Sequence, residues 1–377
     1  MTSPLHTELP PDARVAFVAD QFADAPRTRH EPYPGGAELT DAAALEVAPV
    51  EVTCLRSAEL EPAQVRDFDL LILGNADALS AAQVHALATH GRHVLFEHDL
   101  RLCRWRGNFP LAPDRMHRLG ATCTCPNPTA QALFTSALGA IFLTETQRRH
   151  YAKNPYYSGA PFAVLGSSLM NRAFFADVDR RNAEGPRERE HKVTVCYSRS
   201  ASKGFEEAKA FCRERGQEPF VIRHLRPDEV LEVLANSRNF VYLPQSFEAA
   251  GRMPLEARFL GANAITNRVT GIASEPWWQL DDAAALSHVR SAPERFWRHI
   301  GRFYQRGART NDAPPSLTSL SLQKVARRPV ATALSVGRAA LEFSPFYAHL
   351  GRAAETLERA QAQHQAAQAP LEPSELV

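Results

Sequence analysis

No apolar run in this chain approaches the roughly 18 residues that a membrane-spanning helix needs. The first residues, MTSPLHTELPPDA, lack both the basic start and the apolar stretch of a secretory leader, so the expected location is the cytoplasm. An excess of either charge is also missing. Lys and Arg number 43 against 42 Asp and Glu, which argues against bulk attraction to nucleic acid. Six cysteines contain no C-x-x-C pair, and Cys123-x-Cys125 does not suit the usual zinc loops, so metal binding is not expected of them. In a reducing compartment they read as buried thiols. Internal repeats are absent.

What is present fits a globular protein: 44% hydrophobic and 23% charged residues over 377 positions, enough for two domains. Short apolar runs at 14–19, 51–55, 69–73, 92–96, 140–144 and 162–165 alternate with helical stretches at 38–45 and 80–89. That alternation predicts a parallel sheet with helices on both faces. Residues 176–191 are charged and carry Gly185-Pro186, which predicts an exposed linker. Alternation then restarts, with strands over 192–197, 220–223, 239–243 and 264–267 and helices over 206–214, 227–235 and 254–261. The fold class is α/β, in two doubly wound units.

Residues 242–275 read YLPQSFEAAGRMPLEARFLGANAITNRVTGIASE and carry most of the functional signal. They follow an apolar strand and place Glu248 and Glu256 eight positions apart around Gly251. With Glu248 in the loop and Glu256 in the first turns of the next helix, both carboxylates can face the strand's C-terminal end, where open α/β sheets bind ligands. Paired carboxylates suit a ligand rich in hydroxyls. Upstream, Gly35-Gly36 stands before a helix, so that backbone N–H groups can approach a phosphate or sugar. The strand at 92–96 ends in Glu97-His98-Asp99, where His98 can meet a hydroxyl and Asp99 is expected to hold its tautomer. After the strand at 192–197, Arg199 and Lys203 bring two cations to a helix start, whose free N–H groups already favour anions. Arg252 adds a third cation near the same anion or faces solvent; the sequence leaves both readings open. An Asp-x-Asp near the cleft is missing, since Asp67-Phe68-Asp69 precedes a strand, and a metal-independent reaction is expected.

The order of these parts resembles the retaining glycosyltransferases of the E-x7-E group, the family 4-like "glycosyl transferases group 1". Glu248-x7-Glu256, the helix and strand after it, Gly271-x-x-x-Glu275 and the Gly-Gly-Ala-Glu of residues 35–38 match that group's pattern. Here the Arg199–Lys203 interval is one residue shorter than is commonest there, and Ser198 replaces the usual glycine.

The resemblance implies the GT-B architecture, two Rossmann-like domains facing each other across a cleft. Residues 12–180 would form the acceptor side and 190–310 the nucleotide-sugar side, with a helical tail over 311–377 packing back on the first domain. It also implies roles. Glu248 and His98 would sit beside the transferring sugar, Glu256 would hold the ribose, and Arg199 and Lys203 would neutralise the diphosphate. Gly35, Gly36, Gly251 and Arg252 would line the donor site. The partners implied are a nucleoside diphosphate-sugar, as donor substrate with no cofactor, and a glycan or surface-polysaccharide acceptor. Alternatives on the same scaffold are a nucleotide-sugar epimerase, a phosphorylase, or an inactive glycan- or nucleotide-binding protein. The basic region 322–341 leaves open a peripheral contact with the inner face of a membrane, and oligomeric state is not legible.

Overall fold

A computed structural model describes residues 9–26, 33–103, 106, 127–157, 159–185 and 187–309. Along the chain come β1 (Val15–Ala19), α1 (Gly36–Leu45), β2 (Val52–Arg56), β3 (Leu70–Leu73), α2 (Ala81–His90), β4 (His93–Glu97), α3 (Pro128–Ser136), β5 (Gly139–Phe142), α4 (Glu145–Lys153) and β6 (Phe162–Val164). They form a parallel six-stranded sheet in the order β2-β1-β3-β4-β5-β6. The central strands read as unbroken apolar runs because both faces of the sheet are covered. Val15, Phe17 and Ala19 enter one core with Leu70, Ile72, Val94 and Phe96, whereas Ala16 and Val18 enter the other with Leu71, Leu73 and Leu95. This is the period-two alternation of a strand, with apolar residues on both sides.

After α5 (Arg172–Glu184) the second unit follows: β7 (His191–Cys196), α6 (Phe205–Arg213), β8 (Phe220–Ile222), α7 (Pro227–Ala235), β9 (Ser237–Tyr242), α8 (Arg252–Phe259), β10 (Asn263–Thr266), α9 (Asp282–Arg290) and α10 (Ala292–Arg309). Its four parallel strands run β10-β9-β7-β8. Both sheets thus share one local order, in which the second strand lies on one side of the first and the third on the other. Each has a switch point, at β1/β3 and at β7/β9, and the C-terminal ends of these strands face a common cleft. Two doubly wound sheets meeting at such a cleft constitute the GT-B arrangement expected from the sequence.

Three expectations change. Residues 176–184 are not linker but the end of α5, which Asn171 caps through the Phe174 amide at 2.9 Å. Its apolar face, Phe174, Phe175 and Val178, begins before the charged stretch, and Arg180 and Arg181 pair with Asp177 one turn back. The return crossing is made by α10, within the span assigned to the second unit. Phe296, Trp297 and Ile300 lie in the first sheet's core, and Trp297 Nε1 donates to Ala44 O at 2.7 Å. The expected tail and the basic region 322–341 lie outside the described residues. Finally, Cys54 is exposed, unlike the buried Cys103 and Cys212, because β2 is an edge strand; Cys123 and Cys125 also lie outside the described residues. Among the described residues no helix is long and apolar enough to cross a membrane.

Candidate active site

The chain leaving β4 distributes three ionisable residues in three directions. Glu97 turns into the first lobe's core, where Oε1 accepts from Arg101 Nε at 2.7 Å and Oε2 accepts from the Tyr151 hydroxyl. Both members of this ion pair are almost fully enclosed, with 1% and 4% of their side-chain surfaces exposed. Such a pair is weak support for stability, since desolvation offsets its attraction. It does fix the backbone: Arg101 Nη2 also donates to Gly74 O, and Gln147 Nε2 donates to the carbonyls of Glu97 and Asp99 at 2.9 and 2.8 Å. His98 is thereby turned to the other side, where Nε2 meets Asp41 Oδ1 of α1 at 2.7 Å. Asp99 therefore does not hold the His98 tautomer as expected; it accepts from Arg106 Nε at 2.7 Å instead. Neighbouring residues leaving a strand point to opposite sides, so the adjacent carboxylate cannot reach the ring.

In the second lobe, Lys203 closes a short 3-10 turn, Ala201–Lys203, and Gly204 then opens α6 at φ +71. A Cβ at Gly204 would lie 1.7 Å from the Leu243 carbonyl oxygen, so only glycine lets this turn approach β9. The approach brings Lys203 Nζ to 2.5 Å from Glu248 Oε2, which also accepts from the Tyr242 hydroxyl at 2.7 Å. Burial pulls the lysine towards neutrality, but the charge and hydrogen bond of Glu248 outweigh it and hold the ammonium above its ordinary value. Burial, reinforced by Glu248, pushes the Tyr242 hydroxyl well up, so it remains a donor. The loop carrying Glu248 is zipped to the following turn by Glu248 N to Val269 O, Gly271 N to Glu248 O and Ile272 N to Ala250 O, at 2.8–3.0 Å. Gly251 completes it at φ +80, capping α8.

The lobes are joined beside this loop. Thr144 Oγ1 donates to Ala249 O at 2.5 Å, and the Glu145 amide donates to Glu275 Oε1 at 2.7 Å. Burial raises the Glu275 carboxyl above the ordinary glutamate range, against the pull of that amide. Glu275, read from the sequence as part of a donor-site turn, thus serves the junction.

Between the lobes lies a cavity of about 220 Å³. Gly36, His98, Lys203, Glu248, Gly251 and Arg252, all singled out from the sequence, line it. Three others do not. Arg199 is exposed outside the lining, and Gly35, also exposed, caps α1 just beyond it. Glu256 is buried one turn into α8, where Oε1 accepts from Arg252 Nε at 2.7 Å. Of the two readings for Arg252, the solvent-facing one fails: only 11% of its side chain is exposed, and Nη1 donates across the cleft to Leu169 O at 2.6 Å.

The electrostatics of the cavity follow from its helices. Neither α1 nor α8 has a side-chain cap, and their first turns meet there, with an ideal Cβ on Gly36 only 4.0 Å from Arg252 Cβ. First-turn N–H groups, which have no partner within their own helices, and the positive ends of two dipoles thus converge with Lys203 and Arg252, an arrangement that attracts anions. Glu248 supplies a carboxylate acceptor at the same place. Residues that sequence reasoning missed include Asp41 and Tyr242, which partner His98 and Glu248, and Arg106, a further cation on the lining. A signal existed for Asp41: an acidic residue stands beside Ala43 and Ala44 on the buried side of α1. Among the described residues, no group of three or more His, Cys, Asp or Glu side chains could hold a metal ion.

No family model matches the chain, and no curated protein matches it. Solved structures do overlap it. HepE from Anabaena, in complex with UDP and glucose, is 14% identical over 79% of this chain and 99% of its own, with a TM-score of 0.43. The trehalose-6-phosphate synthase OtsA is 10% identical over 80% of this chain and 100% of its own, with a TM-score of 0.42. WaaG, a glycosyltransferase involved in lipopolysaccharide biosynthesis, is 14% identical over 82% and 98%, with a TM-score of 0.36. Likeness at this level carries no argument about chemistry, and the fold rests on the strand orders above.

Proposed function

We propose that this protein is a retaining glycosyltransferase that moves a sugar from a nucleoside diphosphate-sugar to a glycan or surface-polysaccharide acceptor. One observation carries the reading: Lys203 and Glu248 face each other, 2.5 Å apart, in a cavity where two uncapped helix starts converge. The cation and the amides suit a diphosphate, and the carboxylate suits sugar hydroxyls. As the sugar–phosphate bond breaks, its electron pair moves to the diphosphate oxygen. Fixed donors that meet this growing charge lower the barrier directly. Lys203, Arg252 and the first-turn amides of α1 and α8 are those donors. Protein cations then do the work a metal would otherwise do, and activity should survive chelation by EDTA. Glu256, buried outside the cavity lining with its Oε1 engaged by Arg252, supports the site by holding that cation in place.

The test is product analysis. The purified protein is incubated with a panel of nucleoside diphosphate-sugars, with and without glycan acceptors. Proton NMR then identifies what forms. A released nucleoside diphosphate with a product of unchanged anomeric configuration supports the reading. An epimerised nucleotide-sugar, phosphorolysis or an inverted product would replace it, and absence of both binding and turnover across the panel would end it.

A further inference from the structure

Asp41 is a fully enclosed carboxylate next to the cavity, and the proposed chemistry does not use it. Its side chain is 1% exposed, and among the described residues its one hydrogen bond is that of Oδ1 with His98 Nε2. The second oxygen, Oδ2, is buried without a hydrogen-bond partner among the described residues. The pocket around it is closely fitted: a Cβ on Gly74 would come within 2.9 Å of Oδ2, and the Phe96 ring packs 4.5 Å from the imidazole. An enclosed carboxylate with one unsatisfied oxygen is costly to keep. Its retention against a ring that lines the cavity calls for a role. Resting on the glycosyl-transfer reading, we propose that Asp41 is a positioning residue: it fixes His98 as the tautomer protonated on Nε2, so that Nδ1 is the nitrogen offered to the reacting sugar.

The placement has a chemical consequence. An ionised carboxylate cannot donate, so the 2.7 Å contact puts the proton on Nε2. Nδ1 has no partner among the described residues and is left as an acceptor. When the sugar–phosphate bond breaks, positive charge grows on the sugar and its hydroxyl protons become more acidic. A hydroxyl donating to Nδ1 then binds more tightly in the transition state than in the ground state, and that difference accelerates the step. The carboxylate behind the ring strengthens the acceptor. No proton is transferred.

Asp41→Asn and Asp41→Leu are compared with His98→Ala and with both double variants. Each Asp41 variant alone should lower kcat by about tenfold to a hundredfold while nucleotide affinity stays near the parent's. Either substitution should cost nothing more once His98→Ala is present, because the pair acts as a unit. An undiminished loss in that background would reduce Asp41 to a packing role and overturn the proposal, as would unchanged kcat in both single variants. Nitrogen-15 NMR of the imidazole decides the tautomer without any turnover: the parent should carry its proton on Nε2, and Asp41→Leu should show a mixture. A parent protonated on Nδ1 overturns the assignment. If the parent neither binds nor turns over any nucleotide-sugar, the glycosyl-transfer reading fails, and the NMR result still judges the Asp41–His98 pair.

Discussion

Replacing Lys203 by methionine keeps most of the apolar stem of the side chain and removes its charge and its N–H donors. The Lys203–Glu248 pair is partly open to water, with 39% and 17% of the two side chains exposed, so its own contribution to stability is screened. The variant should therefore lose about 1 kcal/mol or less of folding stability. Ligand affinity should suffer more. A charge-assisted hydrogen bond to a phosphate oxygen contributes about 1.5–3 kcal/mol, equivalent to a weakening of Kd by about ten- to 150-fold. The remaining Glu248 carboxylate, freed of its counter-ion, adds repulsion towards the diphosphate, so Lys203→Met with Glu248→Gln should recover a little affinity over Lys203→Met alone. The pH arm has a definite sign. Because the folded-state lysine titrates above its ordinary value of 10.5, the ion pair's stabilisation is complete below that pH and fades only as pH rises through the folded value. Parent affinity should consequently show no loss of lysine charge at neutral or mildly alkaline pH. Isothermal titration calorimetry with nucleoside diphosphates, beside a thermal melt of each variant, makes the measurement. A folded Lys203→Met protein with parental affinity would refute the phosphate clamp.

Two further outcomes concern the scaffold. Gly204→Ala forces an L side chain to φ +71 with its Cβ 1.7 Å from the Leu243 carbonyl oxygen, a backbone atom that must move. A loss of about 3 kcal/mol in urea unfolding is expected, with weakened nucleotide binding because Lys203 is displaced; a melt like the parent's would show that the turn can relax. His93 is fully buried, donates from Nε2 to Leu133 O at 3.0 Å, and burial pulls its pKa down to about 4. The fold thus requires the neutral ring. Its contribution is complete above the unfolded value of 6.5 and is lost as pH falls towards 4, which removes about 3 kcal/mol. His93→Gln should flatten that part of the stability–pH curve, and an unchanged slope would assign the acid sensitivity elsewhere.

How far the sequence reaches depends on where each residue's constraint comes from. The central strands were legible because both faces of a parallel sheet are covered, which writes burial into consecutive residues such as Leu70–Leu73. Lys203, Glu248, Gly251 and His98 were legible because each stands just beyond a strand's C-terminal end, where this topology builds its ligand site. Their partners were not. His98 is paired by a residue 57 positions away, and Lys203 by one 45 away. Such choices are fixed by strand order, which brings α1 beside the end of β4 and the β7 turn beside the β9 loop. Glu256 shows the same limit from the other side. Its spacing from Glu248 points to one shared crevice, yet Arg252, one helical turn before it, engages one carboxylate oxygen and bridges to Leu169 of the other lobe. A charged residue's neighbours on its own helix compete with the ligand for it, and spacing alone does not say which wins. The two carboxylates of the motif accordingly differ in kind: Glu248 faces the cavity directly, whereas Glu256 acts first on Arg252, and through it on the contact between the lobes.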